Sequence, residues 1–213
     1  MIKILFVLAL SMSLSCTDSK NKRKAVANID YSTVEPSIDL KQTHLKANEA
    51  LLFCKKKKFN ASFCVLIDMS LHSGVNRFFV WDFKKDTLIK SFLVGHGCGN
   101  SPWSYDYSKD KPVFSNVDGS HCTAIGKYKI GERGYSSWGI NVKYLLHGLD
   151  ETNNNALARQ IVFHGWDQMS EKECYPYGSP EGWGCPTLAN NHMRYMDDKL
   201  KASKKPVLMW IYQ

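Results

Sequence analysis

The chain has 213 residues, a net charge of +8 at pH 7, 44% hydrophobic residues and seven cysteines. That length accommodates one domain with a substantial core, and neither an internal repeat nor a second hydrophobic span accompanies it, which excludes a repeat array and a polytopic membrane protein. The basic residues concentrate before residue 37 and in "KKKK" at 55–58 without any nucleic-acid fold signature, so a solvated lysine face is expected there and nucleic acid is not an expected partner.

In chain order, "MIKILFVLALSMSLSC" carries Lys3 and then an apolar run from Ile4 to Leu14, too short for a stable membrane span and proportioned as a signal peptide. The small residues before Cys16 resemble the lipobox of bacterial lipoproteins, with Ser13 standing where leucine is usual. The resemblance implies lipid attachment at Cys16 and a membrane contact through that anchor. The expected location is the cell envelope of a Gram-negative-type bacterium, facing the periplasm; a plain secretory signal is the alternative. Residues 17–36 are rich in Ser, Asn and Lys without apolar periodicity and read as a flexible tether.

Residues 37–59 show Leu40, Leu45, Ala47, Ala50, Leu51 and Leu52 near helical spacing, predicting one amphipathic helix ahead of the domain at 60–213. The period then changes to that of strands. "SFCVLIDM", "RFFVWDF", "TLIKSFLVGHG", "GKYKIGERG", "WGINVKYLLHGL", "IVFHG" and "PVLMWIY" are short, aromatic and β-branched, separated by turn residues. "ETNNNALARQ" predicts a short helix, "NNHMRYMDDKLKAS" another, and 165–184 a long loop with Pro176, Gly178, Pro180, Gly182 and Gly184. The fold class is mainly β, a β-sandwich or partial barrel with a few helices. Phe78, Phe79 and Trp81 are expected in its core.

Two strings place a cysteine behind a glycine: "GHGCGN" at 95–100 and "GWGCPTL" at 182–188. A nucleophilic thiol needs a base for its proton and backbone N–H groups for the developing oxyanion. His96 and Cys98 are two apart on one strand and share a face, but no second segment completes a cleft around them. His96, Cys98, His121 and Cys122 have zinc-ligand chemistry without a zinc-ligand spacing, and a Cys98–Cys122 disulfide is a further alternative. His147 lies far from either cysteine along the chain. His164, by contrast, ends an apolar strand, and the loop after it returns to Cys185. A base at a strand end and a thiol on the returning loop suit acyl transfer. A disulfide of Cys185 with Cys174 is the bland reading.

"IVFHG", a loop and "GWGCPTL" together resemble the signature of the L,D-transpeptidase (YkuD-like) family, and within it the murein L,D-transpeptidase catalytic domain branch. "VFSNVDGSHCTAIGKYKIG" (113–131) and "WGINVKYLLHGLDETNNNALARQIVFHG" (138–165) extend the resemblance over roughly 60–213. It implies Cys185 as nucleophile, His164 as base, the Gly165 carbonyl orienting the imidazole, and an oxyanion site at the N–H groups near Gly184 and Cys185. Gly182 and Trp183 stand where the broader family has Ser/Thr-His. Trp183, Tyr128, Asn116 and Arg159 are candidate substrate contacts, core or turn roles being the alternative for the last three. The implied activity is a peptidoglycan L,D-transpeptidase acting on tetrapeptide stems through a thioester to give 3–3 cross-links, as a monomer, with no metal and no cofactor. The alternatives are an L,D-carboxypeptidase or endopeptidase that uses water, and a non-catalytic wall-binding lipoprotein.

Overall fold

The apolar alternation of the seven sequence-evident strands is resolved by one eight-stranded sheet, ordered β3-β2-β1-β8-β4-β5-β6-β7. The computed structural model describes residues 38–101 and 112–213; the signal peptide, Cys16 and the tether expected at 17–36 lie outside the described residues. The elements are α1 (Leu40–Lys57), β1 (Phe63–Asp68), β2 (Phe78–Asp82), β3 (Thr87–Phe92), β4 (Gly126–Tyr135), β5 (Val142–Gly148), β6 (Val162–Gly165), β7 (Thr187–Leu188), α2 (Asn190–Lys201) and β8 (Val207–Tyr212). The fold is mostly β, a nearly closed barrel-like sheet with two helices, one of them N-terminal. Closure is visible in the backbone: just past β3, Gly95 N–H donates to Thr187 O of β7 at 3.0 Å, and Gly97 bridges Gly182. The β1–β8 and β6–β7 pairs are parallel and the others antiparallel.

Strands β1 and β2 bury both faces, which explains why their sequences read as continuous apolar runs rather than strict alternation. Phe63, Val65, Ile67, Phe78 and Val80 point into the main core with Tyr128, Phe163, Met193 and Met209. Cys64, Leu66, Phe79 and Trp81 point the other way and pack under Ala47, Ala50 and Cys54 of α1. Helix α1 starts where the Asp39 carboxylate accepts the N–H groups of Lys41 and Gln42 and ends where Lys58 turns left-handed. No helix among the described residues is long and apolar enough to cross a membrane.

Helix α2 is fastened to the sheet by one carboxylate. Asp197 accepts from Arg133 Nε on β4 (2.8 Å), from the Tyr144 hydroxyl on β5 (2.7 Å) and from Lys201 (3.3 Å). Burial alone would raise this carboxyl, but the bonds outweigh it and hold it at about 2, below the ordinary 3.8. At about 1.4 kcal/mol per pKa unit, the shift stabilises the fold by about 2 kcal/mol. A depressed carboxyl contributes this fully above its unfolded value and loses it as pH falls through its folded one.

The helix expected over "ETNNNALARQ" is absent: residues 151–160 form consecutive turns instead. The backbone bonds there run mostly to the residue three back, Asn153 N–H to Asp150 O, Ala156 N–H to Asn153 O and Gln160 N–H to Leu157 O, so no continuous α-helical ladder forms, while the Asn153 side chain donates to Lys127 O and ties the segment to β4. The two-residue strand β7 was not evident in the sequence, since "TL" is too short to show a period.

Candidate active site

Strand β6 is short, and its alternation divides its roles. Phe163 is buried in the core and stacks on Phe78 with centroids 5.7 Å apart. Val162 and His164 therefore face the other side, where the register sets them beside Leu145 and Lys143 of β5. The loop 166–186 brings the chain back to the same face, and β7 pairs His164 with Thr187. Cys185, two residues earlier, is half-buried, and its sulfur accepts the Val162 N–H at 3.4 Å.

Cys185 and His164 both line two cavities that meet at this point. One, of about 310 Å³, is walled by Trp138, Trp166, Trp183 and Thr187. The other, of about 850 Å³, runs past Asp118, Tyr135, Lys143, Leu157 and Arg159. Thus the thiol and the imidazole stand between an indole-lined pocket and a broader cationic groove.

The imidazole has a fixed tautomer. His164 Nδ1 lies 2.8 Å from Gly165 O, and a carbonyl can only accept, so Nδ1 carries the hydrogen and Nε2 keeps its lone pair. Burial lowers the His164 pKa below its ordinary value, the Gly165 bond opposes this, and Lys143 adds to the lowering. Burial raises the Cys185 thiol, while the Val162 N–H and the charges of Arg159 and Lys143 pull it back. Both shifts favour a neutral thiol and a neutral imidazole at rest. Nucleophilic attack from this state requires proton transfer from sulfur to a base, and Nε2 is a base with an open lone pair.

The segment bearing Cys185 is held from behind. Gly184 has φ +101°, and a Cβ there would come within 2.4 Å of Cys122 O, so the position requires glycine. The Thr123 hydroxyl donates to Gly184 O at 3.2 Å and accepts the Gly97 N–H at 3.0 Å. Gly182 N–H donates to His96 O, and Cys98 N–H donates to Gly182 O, each at 2.8 Å. "GHGCGN" is accordingly the backbone ledge on which "GWGC" rests.

The remaining expectations divide. Trp183 is 61% exposed, lines both cavities and stacks on His121 with centroids 4.9 Å apart. Arg159 lines the larger cavity, yet its guanidinium also donates to Ser115 O, Ser120 Oγ and Cys122 O, tying down 115–122. Tyr128 is a correction: it is wholly buried, with its hydroxyl donating to Ala124 O, and cannot meet a substrate. Asn116 lines neither cavity, and its amide bonds to the 151–155 turns. All six described cysteines are free thiols, Cys174 and Cys185 included. The zinc arrangement fails on geometry: His96 faces Arg77 and Glu181, His121 faces Trp183, and no group of three or more potential ligands forms among the described residues. His147 is paired with Glu132 at 2.8 Å.

Lys143, Trp138, Trp166 and Thr187 were not anticipated as site residues. Only Lys143 left a signal, the alternation of "VKYLLHG", which puts it on the face opposite Tyr144.

Comparison with known proteins finds that the L,D-transpeptidase catalytic domain family model matches residues 34–212. No curated protein matches. Among solved structures, the helical cell shape determining protein Pgp2 of Campylobacter jejuni aligns with TM-score 0.42 and 13% identity, over 71% of this chain and 48% of that one. This chain therefore spans about half the length of that protein. An L,D-transpeptidase of Xylanimonas cellulosilytica aligns with TM-score 0.39 and 9% identity, over 76% of this chain and 68% of that one. The L,D-transpeptidase LdtMt1 in complex with imipenem aligns with TM-score 0.40 and 12% identity, over 71% and 59%. None of these three likenesses bears on activity.

Proposed function

Because the chain belongs to the L,D-transpeptidase catalytic domain family, we propose that it is a cysteine acyltransferase that cross-links peptidoglycan stem peptides. His164 Nε2 takes the proton from Cys185, and the thiolate attacks the carbonyl at the L-centre of the diamino acid in a tetrapeptide stem. The tetrahedral oxyanion lies against the backbone N–H groups of Gly184 and Cys185. The imidazolium returns the proton to the departing D-alanine amine, leaving a thioester on Cys185. An amine of a second stem then attacks the thioester, gives up its proton to His164, and closes a 3–3 cross-link while the thiol re-forms. No step calls for a metal or cofactor, since thiol, imidazole and backbone supply nucleophile, base and oxyanion donors.

The observation that carries this reading is the position of Cys185 and His164 at the junction of two cavities, with the imidazole tautomer fixed by Gly165 O. Two openings onto one thiol suit a donor and an acceptor chain arriving from different sides. Incubation with purified disaccharide-tetrapeptide should yield dimers that have lost one D-alanine. Trimmed monomers without dimers would instead make water the acceptor and end the transferase reading.

We further propose that Cys16 carries a lipid that holds the domain at the periplasmic side of the envelope, as the apolar run before it suggests. A tether of about 20 residues would keep the domain within reach of the wall and raise its local concentration there. Metabolic labelling with an alkyne fatty acid should mark the parent protein and leave Cys16→Ser unmarked; equal labelling of both rejects the anchor.

A further inference from the structure

Three ionisable side chains outside the proposed chemistry are buried together behind the Cys185 segment. Arg77 and His96 have no exposed surface, and Glu181 has 1%. Arg77 Nη2 lies 2.8 Å from His96 Nδ1, and His96 Nε2 lies 3.3 Å from Glu181 Oε1. Charged groups rarely occupy such positions without a partner, because leaving water costs each of them several kcal/mol. Their chemistry also fixes a direction. A guanidinium only donates, so His96 Nδ1 accepts, the ring is neutral and its hydrogen sits on Nε2, which approaches Glu181 Oε1 to 3.3 Å without the alignment of a hydrogen bond. Burial lowers the Arg77 guanidinium to about 9, with Asp68 and Glu181 opposing the shift, so it stays charged at neutral pH.

The triad lies where three chain segments must be held to one another. Arg77 precedes β2 and also donates to Leu71 O and Val94 O. His96 lies on the ledge that pairs with Gly182, through its own carbonyl and through Cys98 N–H. Glu181 immediately precedes Gly182, two residues before Trp183 and four before Cys185. A carboxylate fixed there sets where the backbone enters "GWGC", upstream of both the indole that lines the cavities and the N–H groups proposed for the oxyanion.

We infer that Glu181, held through His96 by Arg77, is a positioning residue that sets the reactive placement of the Cys185 segment. The inference rests on Cys185 being the nucleophile. Glu181 does not touch substrate; its Oε1, 3.3 Å from His96 Nε2, is the contact by which it fixes the loop. Glu181→Gln keeps that oxygen, Glu181→Ala removes it, and Glu181→Asp withdraws it by one methylene.

The test measures acylation of the full chain by imipenem, followed by intact mass over a range of concentrations, alongside thermal melting. Glu181→Ala should lower the saturating rate by about 10-fold or more, since small misplacements of reacting groups are expensive, with half-saturation changed less than about 3-fold. Glu181→Gln should recover the rate to within about 3-fold of the parent. A folded Glu181→Ala that acylates at the parent rate overturns the proposal, and so does a Glu181→Gln as slow as Glu181→Ala. Should Glu181→Ala fail to fold, Glu181→Asp decides: a slowed saturating rate upholds the proposal, and parent-rate acylation overturns it. An adduct that persists in Cys185→Ala would overturn the nucleophile assignment instead, and is read independently of Glu181.

Discussion

Replacing Cys185 by alanine removes the imipenem mass adduct and lowers D-alanine release from tetrapeptide stems to background, a loss of at least about 10⁴-fold. The expectation follows from what else the site contains. Removing the sulfur leaves His164 with a lone pair but no thiol to deprotonate, and no other cysteine lines either cavity. The fold should tolerate the change, because Cys185 lies half-buried at a cavity wall and the bond its sulfur accepts from Val162 N–H is weak. Cys98→Ala, which alters a buried thiol on the supporting ledge, should still acquire the adduct. Mass spectrometry of the three proteins after a common incubation separates the outcomes. An adduct of undiminished yield in Cys185→Ala, or its loss in Cys98→Ala alone, would move the chemistry to "GHGCGN".

That choice between two cysteines shows what linear order carries. The strands were legible because half-buried and fully buried segments leave different apolar patterns, and α1 because its small residues recur where it meets Cys64 and Leu66. Residues 151–160 misled because helix propensity is a sum over local residues, whereas the segment's backbone bonds mostly three residues back and Asn153 ties it to Lys127 O of β4. The site was legible only where two of its parts belong to one sequence signature. Trp138 and Trp166 reach the cavities from segments that the sheet closes around, and contact made by closure has no linear trace. Tyr128 was misplaced for the converse reason. A signature segment preserves scaffold and contact residues alike, and only burial and bonding tell a tyrosine capped by Ala124 O from one that faces a groove. His96 lies two residues from a cysteine in "GHGCGN", yet its ring turns away to Arg77 and Glu181, so proximity along a strand said nothing about its partner.

His164→Ala should slow acylation by about 10²- to 10⁴-fold and, more tellingly, change its dependence on pH. In the parent, the working form pairs a protonated thiol with an unprotonated imidazole. Burial holds the His164 pKa below 6.5, so the base stays available as pH falls past that value and the acid limb of the rate lies lower still. Above that limb the rate should be flat up to about pH 9, because burial raises the thiol above its ordinary 9.0 and it passes its proton directly to Nε2. Without the imidazole, only the small fraction of free thiolate reacts. The variant's rate should therefore climb about tenfold per pH unit across the neutral and mildly alkaline range and narrow the gap to the parent as it climbs. The neighbouring cations Arg159 and Lys143 keep that fraction from vanishing, since both favour the thiolate. Acylation rates from pH 5 to pH 10 for the two proteins decide the matter. Parallel profiles would mean that His164 does not accept the proton, whatever the size of the rate loss, because a base that acts in the reaction must leave its own titration in the curve.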